Sequence, residues 1–141
     1  EFIVIDDKGI VLRTDMQKLD LISIESYVNV VYNIGDSIEI EDLENFEKIF
    51  ELIEYLNYEY GSDTIKDFKI DINDSFSFET LYGTSVRIDL DQDTKYQVVF
   101  AMKIINERLN KNLTVTSGLI DFTKGDSPVY IEDFRMEEYN E

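Results

Sequence analysis

The chain has 141 residues, of which 43% are hydrophobic and 13% aromatic, a composition typical of one domain with a packed core. It carries 31 acidic and 13 basic residues, which gives a formal net charge of −18 at pH 7. Such a surface repels phosphate backbones and anionic headgroups, so nucleic acid is not expected as a partner. The sequence contains no cysteine and no histidine, which excludes Ser–His–Asp and Cys–His catalytic sets and ordinary zinc sites.

The N-terminal part of the chain is predicted to be β-structure. A hairpin is expected from residues 2–5 and 10–12, which flank an Asp-Asp-Lys-Gly turn. Residues 21–24 and 27–32 are rich in apolar and β-branched side chains, a composition typical of short strands. The sequence Asn-Ile-Gly-Asp at residues 33–36 indicates a turn.

Two amphipathic helices are predicted. The first falls within residues 42–61 and ends at Gly61. Its apolar residues recur at the spacing of one buried helix face: Leu43, Phe46, Ile49, Phe50, Ile53 and Leu56. The second helix follows a carboxylate cap at Asp91 or Asp93. It extends to about residue 109, and the residues expected to face the core are Tyr96, Val99, Phe100, Ile104, Leu109 and the aliphatic stem of Lys103.

Three strands are predicted between these helices, at residues 65–72, 75–81 and 84–90, as a half-buried antiparallel meander. A closing hairpin spans residues 113–134, with its loop at Lys124-Gly125-Asp126. The order of elements indicates an α+β domain in which two amphipathic helices cover one face of a mainly antiparallel mixed sheet. We expect one domain over residues 1–134, followed by an acidic C-terminal tail at 135–141.

The final strand is unusual in this acidic chain because Val129, Tyr130 and Ile131 direct apolar side chains to both of its faces. Pro128, the only proline, lies near its start, a position that an edge strand tolerates and a central strand does not. An edge strand carries unpaired N–H and C=O groups that can pair with another strand. The sequence therefore predicts an exposed edge that takes up a partner, the alternative being an edge covered by a helix, a loop or the tail.

Acidic residues raise the question of a metal or catalytic site. Asp89, Asp91 and Asp93 alternate like the ligands of an EF-hand loop, but Thr94 and Phe100 occupy the positions that require glycine and glutamate. Carboxylates here are more typical of a helix cap, with weak calcium binding as the alternative. No pattern selects two acids for glycoside hydrolysis. We therefore expect no catalytic residues, no metal site and no cofactor.

Three tyrosines lie near the end of the first predicted helix: Tyr55, Tyr58 and Tyr60. Rings spaced in this way can form a patch that stacks on a sugar or a peptide. More often such residues are amphipathic cover at a helix end, and we favour that interpretation from sequence.

The ordered series of elements resembles the extracytoplasmic β domain of the FtsQ/DivIB family of bacterial cell-division proteins. FIVIDDKGIVL at residues 2–12 is similar to that family's first hairpin, and NIGDSIEIEDLENFEKIFELIEYL at 33–56 to the section around its first helix. FKIDINDSFSFETLYGTSVRIDL at 68–90 resembles its three-strand section. GLIDFTKGDSPVY at 118–130 resembles its closing hairpin. The resemblance extends from Phe2 to about Phe134.

The resemblance implies a non-enzymatic scaffold domain of the division machinery. Family members carry a short cytoplasmic tail, one transmembrane helix and a small POTRA domain before this β domain, so the resemblance implies a truncated chain. It implies FtsB/DivIC-like and FtsL-like partners, a monomeric isolated domain, and a location outside the membrane at the septum. The residues expected to bind the partner are Thr123, Lys124, Gly125, Ser127, Val129, Tyr130, Ile131 and Phe134. Two alternatives remain open: an unrelated acidic module that recognises a basic peptide, and a carboxylate-using hydrolase.

Overall fold

A computed structural model of the chain describes residues 1–6, 8–19, 21, 23–26, 30–40, 46–70, 76–113, 115–125 and 127–132, and gives the backbone alone for 25, 26, 40, 46 and 129. Several predictions fall outside the described residues. They concern Leu43 on the first helix, the predicted strand residues 27–29 and 71–75, the loop residue Asp126, Phe134, and the tail at 135–141.

The chain forms ten strands, two α-helices and one 3-10 turn within the described residues. In chain order these are β1 (Phe2–Ile5), β2 (Val11–Asp15), β3 (Ser23–Ser26), β4 (Val30–Val31), β5 (Glu39–Ile40), α1 (Phe46–Glu59), the 3-10 turn (Gly61–Asp63), β6 (Ile65–Ile70), β7 (Phe76–Thr80), β8 (Ser85–Ile88), α2 (Thr94–Asn110), β9 (Leu119–Asp121) and β10 (Val129–Ile131). The prediction of an α+β fold with two helices and a mixed sheet is confirmed.

A six-stranded sheet in the order β10–β9–β8–β7–β6–β3 organises the fold. The β6–β7–β8 meander and the β9–β10 hairpin are antiparallel, whereas β8 pairs with β9 and β3 pairs with β6 in parallel. One row of register partners crosses all six strands: Ile24, Phe68, Phe78, Val86, Ile120 and Tyr130. Every member belongs to the core or packs against it, so this face of the sheet carries the core.

Both helices lie against that face, because their buried residues join the same cluster. From α1 these are Ile49, Leu52, Ile53 and Leu56, and from α2 Val98, Ala101 and Ile105. The prediction for α1 is confirmed for its buried face, to which Leu52 is added, and for its end, because Gly61 follows the helix with φ +61°. A positive φ is a conformation that glycine adopts without steric cost.

The predicted core face of α2 is confirmed for Ile104, which packs against the core, and is wrong for three other residues. Tyr96, Val99 and Leu109 are exposed by 61%, 53% and 39%, although they were expected in the core. The reason is Gln97, a polar residue that apolar periodicity does not count. Its Nε2 donates to the carbonyl oxygen of Asp89 at 2.8 Å, and its Oε1 accepts from the Asp89 N–H at 2.8 Å. This paired contact turns the Gln97 side of the helix toward the sheet.

The prediction of a half-buried meander holds for β6 and is wrong for β7 and β8. On these inner strands even the polar residues Ser77 and Arg87 are exposed by only 7% and 8%, although they lie on the face away from the helices. Buried hydroxyls near the β7–β8 turn are hydrogen-bonded. Thr80 Oγ1 donates to Thr84 O, and Thr84 Oγ1 donates to Val115 O. β7 and β8 are therefore buried on both of their faces.

The N-terminal hairpin is confirmed as β1 and β2, which form a two-stranded sheet of their own within the described residues. The carboxylate of Asp6 accepts hydrogen bonds from the N–H groups of Lys8 and Ile10, both at 2.9 Å, and so fixes the turn. Gly9 completes the turn with φ +83°. Of the two short strands predicted next, residues 23–26 and 30–31 are extended. Gly35 marks the predicted turn with φ +92°.

Candidate partner-binding edge

Strand β10 forms one edge of the six-stranded sheet, as the sequence predicted. It pairs with β9 through Val129–Asp121, Tyr130–Ile120 and Ile131–Leu119. Among the residues that the structure describes, no strand pairs with its other side. The edge is therefore open to a further strand in the described part of the fold.

The hydrogen bonds of β9 show which backbone groups of β10 point outward. Ser85 N donates to Gly118 O and Phe122 N donates to Arg87 O, so the even-numbered residues of this segment bond to β8. Backbone groups alternate in direction along a strand, and Leu119 and Asp121 therefore bond to β10. Their register partners Ile131 and Val129 point inward. The N–H and C=O of the residue between them, Tyr130, point away from the sheet.

The same alternation accounts for Pro128. Its nitrogen lies on the outward side of the strand, as that of Tyr130 does, so the missing N–H removes no bond to β9. Because proline has no N–H to donate, the edge that can pair with another strand does not extend to the residues before Val129. The open edge is consequently short and centred on Tyr130.

The Tyr130 side chain holds β10 against the body of the protein. Its ring packs on the core, and the Arg108 Cζ atom of α2 lies 3.9 Å from the ring centroid. Arg108 Nη2 also donates to Glu132 Oε1 at 2.9 Å. A Cβ atom added at Gly118 would overlap the Tyr130 hydroxyl and lie 2.6 Å from its Cζ, so glycine leaves the room that this ring occupies. Arg108 therefore contacts the middle residue of β10 and the residue that follows the strand.

Residues 122–125 of the loop between β9 and β10 are shaped by Asp121. Its Oδ1 accepts from the Thr123 N–H at 2.8 Å and from Thr123 Oγ1 at 2.6 Å. Thr123, Lys124 and Gly125 are exposed beyond this turn, as is Ser127. The loop therefore brings the predicted polar contacts to the same end of the sheet as the open edge.

The structure thus brings seven of the predicted site residues into one hairpin, and the eighth, Phe134, lies outside the described residues. Tyr130 and Ile131 are half-buried, and the side chain of Val129 is not described. Sequence reasoning missed Arg108 and Gly118. The only available signal for Arg108 was its place in the last turn of α2, where a cation interacts favourably with the negative end of the helix dipole.

The opposite edge of the sheet, β3, has different surroundings. A groove of about 320 Å³ is lined by residues of both β1 and β3, including Ile3 and Ile24. Phe50 of α1 and Ile38 also line it. The N-terminal hairpin therefore lies near the β3 edge, and β10 is the more open of the two edges in the described structure.

Two of the three aspartates that resemble an EF-hand, Asp89 and Asp93, cap a turn and a helix with their carboxylates. Asp93 Oδ1 accepts from the Tyr96 N–H at 3.1 Å, which confirms it as the α2 cap. Asp89 Oδ1 accepts from the Asp91 N–H at 3.0 Å. In the part of the chain that the structure describes, no group of three or more acidic residues is arranged to hold a metal ion, and no helix has the length and apolarity to cross a membrane.

The three tyrosines near the end of α1 have different surroundings. Tyr58 is exposed by 86%, whereas Tyr55 and Tyr60 are half-buried against the core. Burial raises the pKa of the Tyr60 hydroxyl above its usual value, and the neighbouring Tyr55 and Glu59 contribute in the same direction. Tyr60 is therefore a structural residue, and the open aromatic surface belongs to Tyr55 and Tyr58.

Comparisons with protein-family models, with curated proteins and with solved structures gave no match for this chain. Candidate functional residues are therefore taken from the fold itself: the edge formed by β10 and the contacts that fix that strand.

Proposed function

We propose that this chain is a non-enzymatic scaffold domain that binds a partner protein by adding the partner's strand to β10. The observation that carries this proposal is the position of β10 at the edge of the six-stranded sheet, where no other strand of the described residues pairs with its outer side. Main-chain hydrogen bonds give affinity in strand addition, and alternate side chains give specificity. A three-residue strand offers few such bonds, so the loop must add contacts.

The side chains around the edge fit this mode of binding. The Ile131 side chain lies on the sheet face opposite the helices, because its register partner Leu119 is next to Ile120, which belongs to the core row. A partner strand would place its own side chains beside it. The exposed residues Thr123, Lys124, Gly125 and Ser127 would contact the segments that flank the added strand. Phe134 completes the proposed set.

The resemblance to the FtsQ/DivIB β domain supplies the proposed partners. On this proposal the chain is a scaffold of the bacterial division machinery at the septum, on the outer face of the cell membrane, and it binds FtsB/DivIC-like and FtsL-like proteins. Its link to the membrane would be a helix preceding the present sequence, and the isolated domain would be monomeric. The closing hairpin supports this assignment, because the family resemblance and the open edge fall on the same residues, 118–131.

Charge gives a second property of the proposed interaction. A net charge of −18 would attract a partner with a basic binding segment before contact is made. Added salt should then slow association markedly and change dissociation little. Stopped-flow or surface-plasmon measurements at two salt concentrations would check this. Equal association rates at both salt concentrations would show that the net negative charge does not attract the partner, and would leave solubility as its role.

Two substitutions at one position test the edge itself. Tyr130→Ala and Tyr130→Pro both remove the ring, but only proline removes the outward N–H. We expect the proline variant to bind an FtsB/DivIC-like partner more weakly than the alanine variant by about 1 kcal/mol, the net contribution of one hydrogen bond. Glu47→Ala on the exposed surface of α1 is the control and should bind as the parent protein does.

Calorimetric titration and thermal unfolding should be measured on each variant, so that loss of binding is separated from loss of folding. Equal affinity of the alanine and proline variants, both folded, would contradict strand addition at Tyr130. Equal affinity of all variants and the parent would place the partner elsewhere on the surface.

A further inference from the structure

A second surface lies on the helical side of the protein, away from β10. A groove of about 570 Å³ is lined by Glu51, Glu54, Tyr55, Asn57, Tyr58 and Lys95. Four of these residues follow the i, i+3, i+4, i+7 spacing of one face of α1: Glu51, Glu54, Tyr55 and Tyr58. Lys95 comes from the first turn of α2. Strands β7, β8 and β9 separate β6, on which α1 packs, from β10.

The groove already holds a cation on an aromatic ring. The Lys95 Nζ atom lies 5.2 Å from the centroid of the Tyr55 ring, within the range of a cation–π contact. Tyr58, one turn further along α1, is exposed by 86%. A large aromatic side chain left in solvent beside two carboxylates offers a second ring to a cation that comes from outside.

Asn57 is a third, independent feature of the groove. Its Oδ1 atom is buried and accepts no hydrogen bond. A buried carbonyl oxygen without a donor costs about 1–3 kcal/mol, so an N–H group that reached it would be favoured. A ligand that fits all three features must be cationic, must stack on a ring and must carry several N–H donors.

We propose that this groove binds an arginine side chain from a basic segment of a protein partner. The guanidinium group is planar and always charged, and it presents five N–H donors. It can stack on Tyr58 and pair with the carboxylates of Glu51 and Glu54, and it can donate to Asn57 Oδ1 once a rotation of the Asn57 side chain turns this buried oxygen toward the groove. A lysine ammonium carries the same charge but lacks the planar fork, so the groove should prefer arginine. The charge of −18 favours a basic segment over a neutral one.

The test compares two blocked peptides, a glycine–arginine repeat and the matched glycine–lysine repeat, titrated into the whole chain. We expect the arginine peptide to bind at least about fivefold more tightly. Tyr58→Ala and Glu54→Gln should each weaken the arginine peptide by about fivefold and should bring the two peptides closer together. Lys95→Gln should strengthen arginine binding, because it frees the Tyr55 ring and removes a competing cation.

Matched controls are available in the same chain. Glu47→Gln removes an exposed carboxylate from α1 outside the groove, and Tyr82→Ala removes a tyrosine that is exposed by 41% in the β7–β8 turn. Both should leave the preference for arginine unchanged. Equal affinity for the two peptides, or unchanged binding in both Tyr58→Ala and Glu54→Gln, would overturn the proposal. Because the β10 edge takes no part in this titration, the result stands apart from the proposed strand addition.

Discussion

The two hairpins at the ends of the described chain are held by different means. In the opening hairpin, β1–β2, the turn is stabilised by its own residues: Asp6 accepts hydrogen bonds from two backbone N–H groups, and Gly9 adopts φ +83°. In the closing hairpin, β9–β10, residues 122–128 form a longer connection, and the outer strand is held by the ring of Tyr130 under Arg108. A strand fixed by a side chain keeps its backbone edge available, which is what strand addition requires.

The largest expected effect comes from Ile131→Pro. The alternation of backbone groups places the Ile131 N–H toward Leu119, so proline removes a ladder bond and leaves a carbonyl group without its donor. We expect a loss of about 3 kcal/mol or more in the stability of the closing hairpin. Hydrogen exchange at β9 and thermal unfolding would measure it. A proline at Tyr130, one residue earlier, should cost no more than Tyr130→Ala, and the reverse order would show that the assigned backbone directions are wrong.

A smaller effect is expected from Gly118→Ala. The new methyl group would overlap Tyr130 and push its ring off the core, at a cost of about 1–3 kcal/mol. The alanine should cost clearly less in a Tyr130→Ala background, where the ring is gone. A double-mutant cycle on the free energy of unfolding checks this. Strictly additive losses would mean that Gly118 does not act through Tyr130.

Arg108→Leu should loosen β10 by about 1 kcal/mol, because it removes the cation from the face of the Tyr130 ring. Glu132→Gln removes the ion pair to the same arginine, and it should have almost no effect because the Glu132 side chain is exposed by 60%. Local exchange rates in β10 distinguish the two changes. An equal loss in both variants would make the ion pair, not the ring contact, the main restraint.

A similarly small effect is expected from Asp6→Ala in the opening hairpin, about 1 kcal/mol or less for two exposed or half-buried hydrogen bonds. Asp6→Asn keeps an acceptor and serves as its control. Partner binding at β10 should not change in either variant, since β1–β2 is a separate sheet. A change in partner affinity would show that the opening hairpin influences binding at β10, and it would contradict the expected independence of the two hairpins.

The sequence predicted the features that local chemistry controls. The turn at Gly9, the Asp93 cap and the apolar stripe of α1 each follow from a few neighbouring residues. The edge position of β10 followed from Pro128 and the end of the chain. The features it missed depend on side-chain contacts that apolar periodicity does not show: the Gln97 contact with Asp89 turned α2, and Arg108 reaches Tyr130 across 22 positions of sequence. When a helix has two apolar stripes, periodicity alone cannot show which of them faces the core. In α2 the contact of the polar residue Gln97 sets the orientation of the helix.

The central claim is that a partner strand bonds to the outward N–H of Tyr130. Hydrogen exchange at this single amide, followed by NMR in the free protein and with a saturating FtsB/DivIC-like partner, tests it most directly. Exchange of the Tyr130 N–H should slow markedly when the complex forms, whereas the Ile131 N–H, which faces Leu119, should be protected in both states. A saturated complex in which the Tyr130 amide exchanges as fast as before would contradict the account.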